Sequence, residues 1–124
     1  MAVIAAVVNQ QQTLFGHTWS VVWPAVTEND TCGPVQLSAA ADRSIHALGT
    51  FGGGSVALQG SNEATNDSSL VTSFVALHDP QGAAIALTLA KITEVSEVTN
   101  WIKPVITGGA AQSITVAMLV RADV

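Results

Sequence analysis

The chain has 124 residues, of which 48% are hydrophobic and only 10% charged, with a formal net charge of −5. That length makes one domain with one core, and a charged fraction far below the roughly 25% of an average domain leaves too little charge to coat an ordinary monomer surface. The four basic residues, Arg43, Lys91, Lys103 and Arg121, form no cluster that would neutralise phosphates, which excludes a nucleic-acid-binding protein.

The segment Ala2 to Val8 opens the order of elements. It is far shorter than the roughly 20 apolar residues of a membrane-spanning helix. It also lacks the preceding basic residue and the small-residue cleavage site of a leader, so it reads as part of the mature chain. Residues 1–13 are expected to form an N-terminal apolar arm or edge strand, and residues 14–124 a single domain.

From there nearly every ordered segment alternates with period two, the pattern of a half-buried strand. Trp19, Val21 and Trp23 share one face, and Pro24 points to an edge position. Glu28 to Pro34 is a turn cluster, Val35 to Leu37 a short strand, and Ser38 to Asp42 ambiguous. Ser44 to Phe51 places Ile45, Ala47 and Phe51 on one face and His46, Leu48 and Thr50 on the other. Gly52-Gly53-Gly54 then reads as the tip of a hairpin leading to Val56 and Leu58. Ser61 to Ser69 is a polar loop.

Leu70 to His78 returns to strand chemistry, and Asp79-Pro80-Gln81-Gly82 is a β-turn with proline second and glycine fourth. Ala84 to Ile92 places Ile85, Leu87 and Leu89 together, and Thr93 to Asn100 is a connection. Trp101 to Thr107 is a strand interrupted by Pro104, hence an edge or a bulge. After Gly108-Gly109, Ser113 to Val120 buries Ile114, Val116, Met118 and Val120. The expectation is an all-β protein, a β-sandwich or jelly roll of about seven or eight antiparallel strands.

The residues that would carry chemistry do not assemble into a signature. The glycine cluster lacks the third glycine of a dinucleotide loop, the lysine of a phosphate loop, and a following helix. His17, His46 and His78 have no metal-ligand spacing. Cys32 has no local base to activate it. As the only cysteine it can form no intrachain disulfide, which fits a reducing compartment. Asp79, Glu94 and Glu97 cannot be placed opposite one another as a carboxylate pair. No catalytic residue, cofactor or metal is expected, and the chain does not read as an enzyme.

Three short stretches carry a resemblance: Gly60-Ser61-Asn62 after a strand, the turn Asp79 to Gly82, and Trp101-Ile102-Lys103-Pro104 before a final valine-rich strand. Over residues 18–121 the chain resembles capsid cement, or decoration, proteins of short-tailed bacteriophages. It departs from them in the loop after Asn62, which is longer and lacks glycine, with Phe74 in the place of the expected aromatic. The resemblance implies a β-sandwich or jelly roll on the outer surface of a capsid, assembled in the host cytoplasm. Its partners would be the major capsid protein and copies of itself, as a dimer or trimer, with no nucleic acid and no membrane.

Partner contacts are then expected at Val3, Ile4, Val7 and Val8, and at Trp101 and Lys103 near an edge. A different class is a carbohydrate- or calcium-binding β-sandwich module, such as a phage tail or surface-adhesion domain. It would use the tryptophans as a stacking platform, or the oxygens of Asn62, Glu63, Asn66 and Asp67. A small hydrolase would require two of the three histidines to meet in a pocket.

Overall fold

A computed structural model describes residues 3–13, 16–27, 29–37 and 42–122. Twelve strands follow one another: β1 Val3–Ile4, β2 Val7–Thr13, β3 Gly16–Val26, β4 Thr31–Cys32, β5 Val35–Gln36 and β6 Asp42–Thr50 come first. β7 Ser55–Ser61, β8 Val75–Ala76, β9 Ala86–Leu87, β10 Lys91–Glu94, β11 Trp101–Thr107 and β12 Ser113–Ala122 complete them.

Strands β1 and β4 pair apart as a small parallel sheet, and the other ten strands form two five-stranded sheets. The first has the order β10-β6-β12-β3-β2, and the second β5-β11-β7-β8 with β9 also on β7. The pairs within both are antiparallel. Strands β10-β6-β12-β3 facing β5-β11-β7-β8 are the strand order of a jelly roll, in which most connections cross from one sheet to the other. The chain is a β-sandwich of this kind.

Period-two alternation explains the core. Val21, Trp23, Ile45, Ala47, Ile114, Val116, Met118 and Val120 point inward from the first sheet, and Val56, Leu58 and Ile102 from the second. Each large aliphatic side chain fully removed from water contributes about 1.5–3 kcal/mol. One charged group enters this interior. Arg43 is buried, and its guanidinium donates to the carbonyls of Leu37 at 2.5 Å and Thr99 at 2.8 Å and to the Thr99 hydroxyl at 3.2 Å. Burial pushes its pKa down from the usual value.

Three expectations are corrected. Gly52-Gly53-Gly54 is no hairpin tip, because β6 and β7 lie in different sheets; it is an arch across the end of the sandwich. Pro24 lies past the end of β2, whose pairing along β3 stops at Val7↔Val22, so the expected edge-like position holds on that side. It sits in a bulge, where Pro24 and Ala25 oppose Thr115 alone and Ala25 adopts φ 49°.

Leu70 to His78 is a strand only at Val75–Ala76, because Ser68–Leu70 forms a 3-10 turn capped by the Asp67 carboxylate. Leu89 does not join Ile85 and Leu87 inside but is 61% exposed, and the chain instead pairs at Lys91–Glu94, part of it in the expected connection. Ser38 to Ala41 lie outside the described residues. Pro104 does lie at an edge: it pairs with Leu58 on one side, while β5 extends along β11 only to Ile102.

Candidate functional site

The outer face of the first sheet is built from the alternate residues of five strands. Register places Ile92, His46, Ala117, Val22 and Val7 side by side, one from each strand, in a single row across the whole sheet. The neighbouring row is Glu94, Ser44, Leu119, Ser20 and Asn9, and Leu48 pairs with Thr115 on the other side. Ile92 is 64% exposed, Val7 51% and Leu119 50%. Charge on this face is confined to its margins. Arg121 and Asp42 pair with each other at one end, and Glu94 lies on the edge strand. The result is a surface of largely aliphatic and small polar side chains, with Arg121, Asp42 and Glu94 at its margins.

The residues expected at a partner contact fall in different places. Val3, Val7 and Val8 are exposed. Ile4 packs against the core, and β1 pairs in parallel with β4, where the Gly33 amide donates to the Ile4 carbonyl at 2.8 Å. β2 is the edge strand of the first sheet. Trp101 is 5% exposed, and its indole N–H donates to the Thr65 carbonyl at 2.9 Å beneath the loop after Asn62, so its ring presents no contact surface. Lys103 places its ammonium 4.3 Å from the centre of the Phe74 ring, a cation–π contact.

The tryptophans form no sugar platform. Trp23 is fully buried and donates to the Gly33 carbonyl at 2.8 Å, and Trp19 packs on the core. The oxygens of the polar loop are already occupied. The Glu63 carboxylate accepts from the Thr72 amide at 2.7 Å, the Thr72 hydroxyl at 2.8 Å, the Ser73 amide at 2.9 Å and the Ser61 hydroxyl at 3.2 Å. Those bonds, the one from Ser73 foremost, hold the Glu63 carboxyl below its usual pKa. Asp67 is lowered likewise by Ser69, and Asn62 accepts from the Asn100 amide at 3.1 Å. Among the described residues no three histidine, cysteine or acidic side chains gather as a metal set.

The remaining candidates are also separated. His46 lies on the outer sheet face, and the side chain of His17 is outside the described residues. His78 contacts Glu97 instead, with Nδ1 2.5 Å from the carboxylate, which also accepts from the His78 amide at 2.8 Å. Burial alone would raise the Glu97 carboxyl, but these bonds outweigh it and hold its pKa low. Asp79 closes its own turn by accepting from the amides of Gln81 and Ala83, both at 3.0 Å. Cys32 is buried, and burial, aided by Asp30, pushes its thiol up to about 11, far from a nucleophile's range.

No family model and no curated protein matches the chain. Similar solved structures include the K1 cleaved adhesin domain of Lys-gingipain from Porphyromonas gingivalis W83, with 12% identity and a TM-score of 0.38 over 96% of this chain and 75% of that one. Another is a carbohydrate-binding module of Cellvibrio mixtus lichenase 5A in complex with cellotriose, with 14% identity and a TM-score of 0.26 over 94% and 87%. Likeness at this level carries no functional argument; the fold stands on the strand order itself. No described helix is long and apolar enough to cross a membrane.

The sheet face was only half visible in the sequence. His46, Leu48 and Thr50 alternate with the core residues of β6, and that alternation was the available signal. Their neighbours Val7, Val22, Ile92 and Ala117 come from four other strands and join them only through register.

Proposed function

We propose that the chain is a structural virion protein that binds the major capsid protein on the outer surface of a phage shell and stabilises it, as a cement or decoration protein. The observation that carries this reading is the five-strand row Ile92, His46, Ala117, Val22 and Val7, a largely aliphatic face whose arginine and acidic residues lie at its margins. A face of this kind seats another protein surface by burying apolar area. The resemblance over residues 18–121 supplies the partner. The net charge of −5 suits a position outside a DNA-filled shell, because it disfavours adhesion to nucleic acid. The role is one of assembly, without a reaction.

The test uses shells of the encoding phage prepared without this chain. Purified protein is expected to sediment with them and to raise the temperature at which they release DNA. Protein that stays in the supernatant at every ratio overturns the reading. The glycan- or calcium-binding alternative would show as a ligand-dependent rise in melting temperature.

A further inference from the structure

A two-sheet sandwich has four lateral edges, and three of them here are blunted. In the second sheet the outer strands β5 and β8 are two residues each. In the first, β10 has four residues and carries Lys91 and Glu94 at its ends. Short strands and edge charges discourage pairing with another chain. The fourth edge is β2, seven residues long, Val-Val-Asn-Gln-Gln-Gln-Thr, with neither a charge nor a proline. No strand lies on its far side among the described residues. Such an edge is a template for strand addition.

We propose that β2 pairs with β2 of a second copy, antiparallel about a two-fold axis, joining the two first sheets into one continuous sheet. The occupant is argued from charge and symmetry. The chain carries −5 overall, so most surfaces of two copies repel, whereas β2 brings no charge to the contact. Strands of equal length meet about Gln10, the midpoint of Val7–Thr13. Val7 then faces Thr13 of the other copy, Val8 faces Gln12 and Asn9 faces Gln11. The contact is isologous, and it closes at two copies.

The inference does not rest on the capsid reading, and its test contains no shell, so either fails without the other. Light scattering on the purified protein at micromolar concentration is expected to give twice the chain mass of 12.7 kDa. The double variant Asn9→Lys with Gln11→Lys opposes like charges twice across the axis and is expected to be monomeric. Asn9→Lys with Gln11→Glu opposes unlike charges at the same positions and is expected to remain a dimer. Far-UV circular dichroism checks that both variants fold, and a variant that does not is replaced by Asn9→Lys alone, expected to weaken the dimer. A monomeric or trimeric parent overturns the proposal, as does a dimer indifferent to these changes. A monomer whose shell binding is lost in the double-lysine variant overturns it in favour of a capsid strand on the same edge.

Discussion

The side-chain amide of Gln112 donates to the carbonyl of Phe51 at 2.8 Å, tying together the two arches that close one end of the sandwich. One arch is the glycine run after β6, and the other is Gly108 to Ala111 before β12. They interlock closely. A Cβ on Gly52 would stand 2.0 Å from the Ala110 carbonyl oxygen, and one on Gly54 only 1.6 Å from the Gln112 amide nitrogen. Gly52 lets backbone lie on backbone, and Gly54 leaves room for the Gln112 side chain. Gly52→Ala is expected to cost about 3 kcal/mol, since it combines overpacking with a positive φ. Gly53→Ala, which meets nothing within 4 Å, is expected to cost about 1 kcal/mol from its positive φ alone. Urea unfolding midpoints of the two variants check the ranking.

Arg43 is a structural cation. Removing it as Arg43→Ala leaves the Leu37 and Thr99 carbonyls without their guanidinium donor inside the sandwich. The expected loss is about 3 kcal/mol or more, from acceptors left unsatisfied. Arg43→Lys is expected to recover only part of this, because an ammonium cannot reproduce the planar fork. Both are read by denaturant unfolding.

The loop after Asn62 is expected to loosen in acid. The folded-state pKa of Glu63 lies below its unfolded value. Its stabilising contribution is therefore complete above the usual glutamate range and is lost as pH falls through the lowered folded value. Asp67 and Glu97 have the same sign. The amide proton resonances of Thr72 and Ser73 should shift together through that acid window. In Glu63→Gln the same resonances should no longer titrate.

The outer sheet face should separate assembly from stability. Ile92→Lys and Leu119→Lys change exposed side chains, and each is expected to move unfolding free energy by no more than about 0.5 kcal/mol. Each should nonetheless reduce sedimentation with shells. Unaltered shell binding by both variants would place the capsid contact elsewhere on the molecule.

Cys32 should be inert in the native protein. A disulfide-exchange reagent such as Ellman's is expected to titrate no thiol until denaturant is added, and then one per chain. Fast reaction without denaturant would contradict the buried thiol.

The inward residues were legible wherever two-residue alternation ran unbroken, as at Trp19 to Trp23, Ile45 to Ala47, Val56 to Leu58 and Ile114 to Val120. Alternation says which side chains turn inward, but not which sheet a strand joins. The Gly52–Gly54 arch therefore read as a hairpin. Pro24 signalled the open side past β2, but not the bulge on its other side, which depends on Thr115 of a strand some ninety positions away, whose hydroxyl accepts from the Ala25 amide at 3.3 Å. Trp101 read as a partner contact near an edge because its cover, Thr65, comes from 36 positions earlier. Leu70 to Phe74 looked like strand, yet its backbone is held by Glu63, whose role a local pattern does not reveal. Of the outer face, Val7 and Val8 stood out as aliphatic residues at an edge, while the row that gives Val7 its neighbours depends on register.

Jelly-roll order also sets when the molecule can be completed. β12 comes last among the described strands, yet it occupies the middle of its sheet, between β3 and β6. While the chain emerges from a ribosome, β3 and β6 each wait with an open inner edge, and Val21, Trp23, Ile45 and Ala47 remain uncovered. Pairing over such separations is slow, and the waiting edges are open to the wrong partners. A product truncated before Ser113 would lack the strand that unites the two halves of the sheet. Closure of the first sheet therefore awaits β12, the last of the described strands.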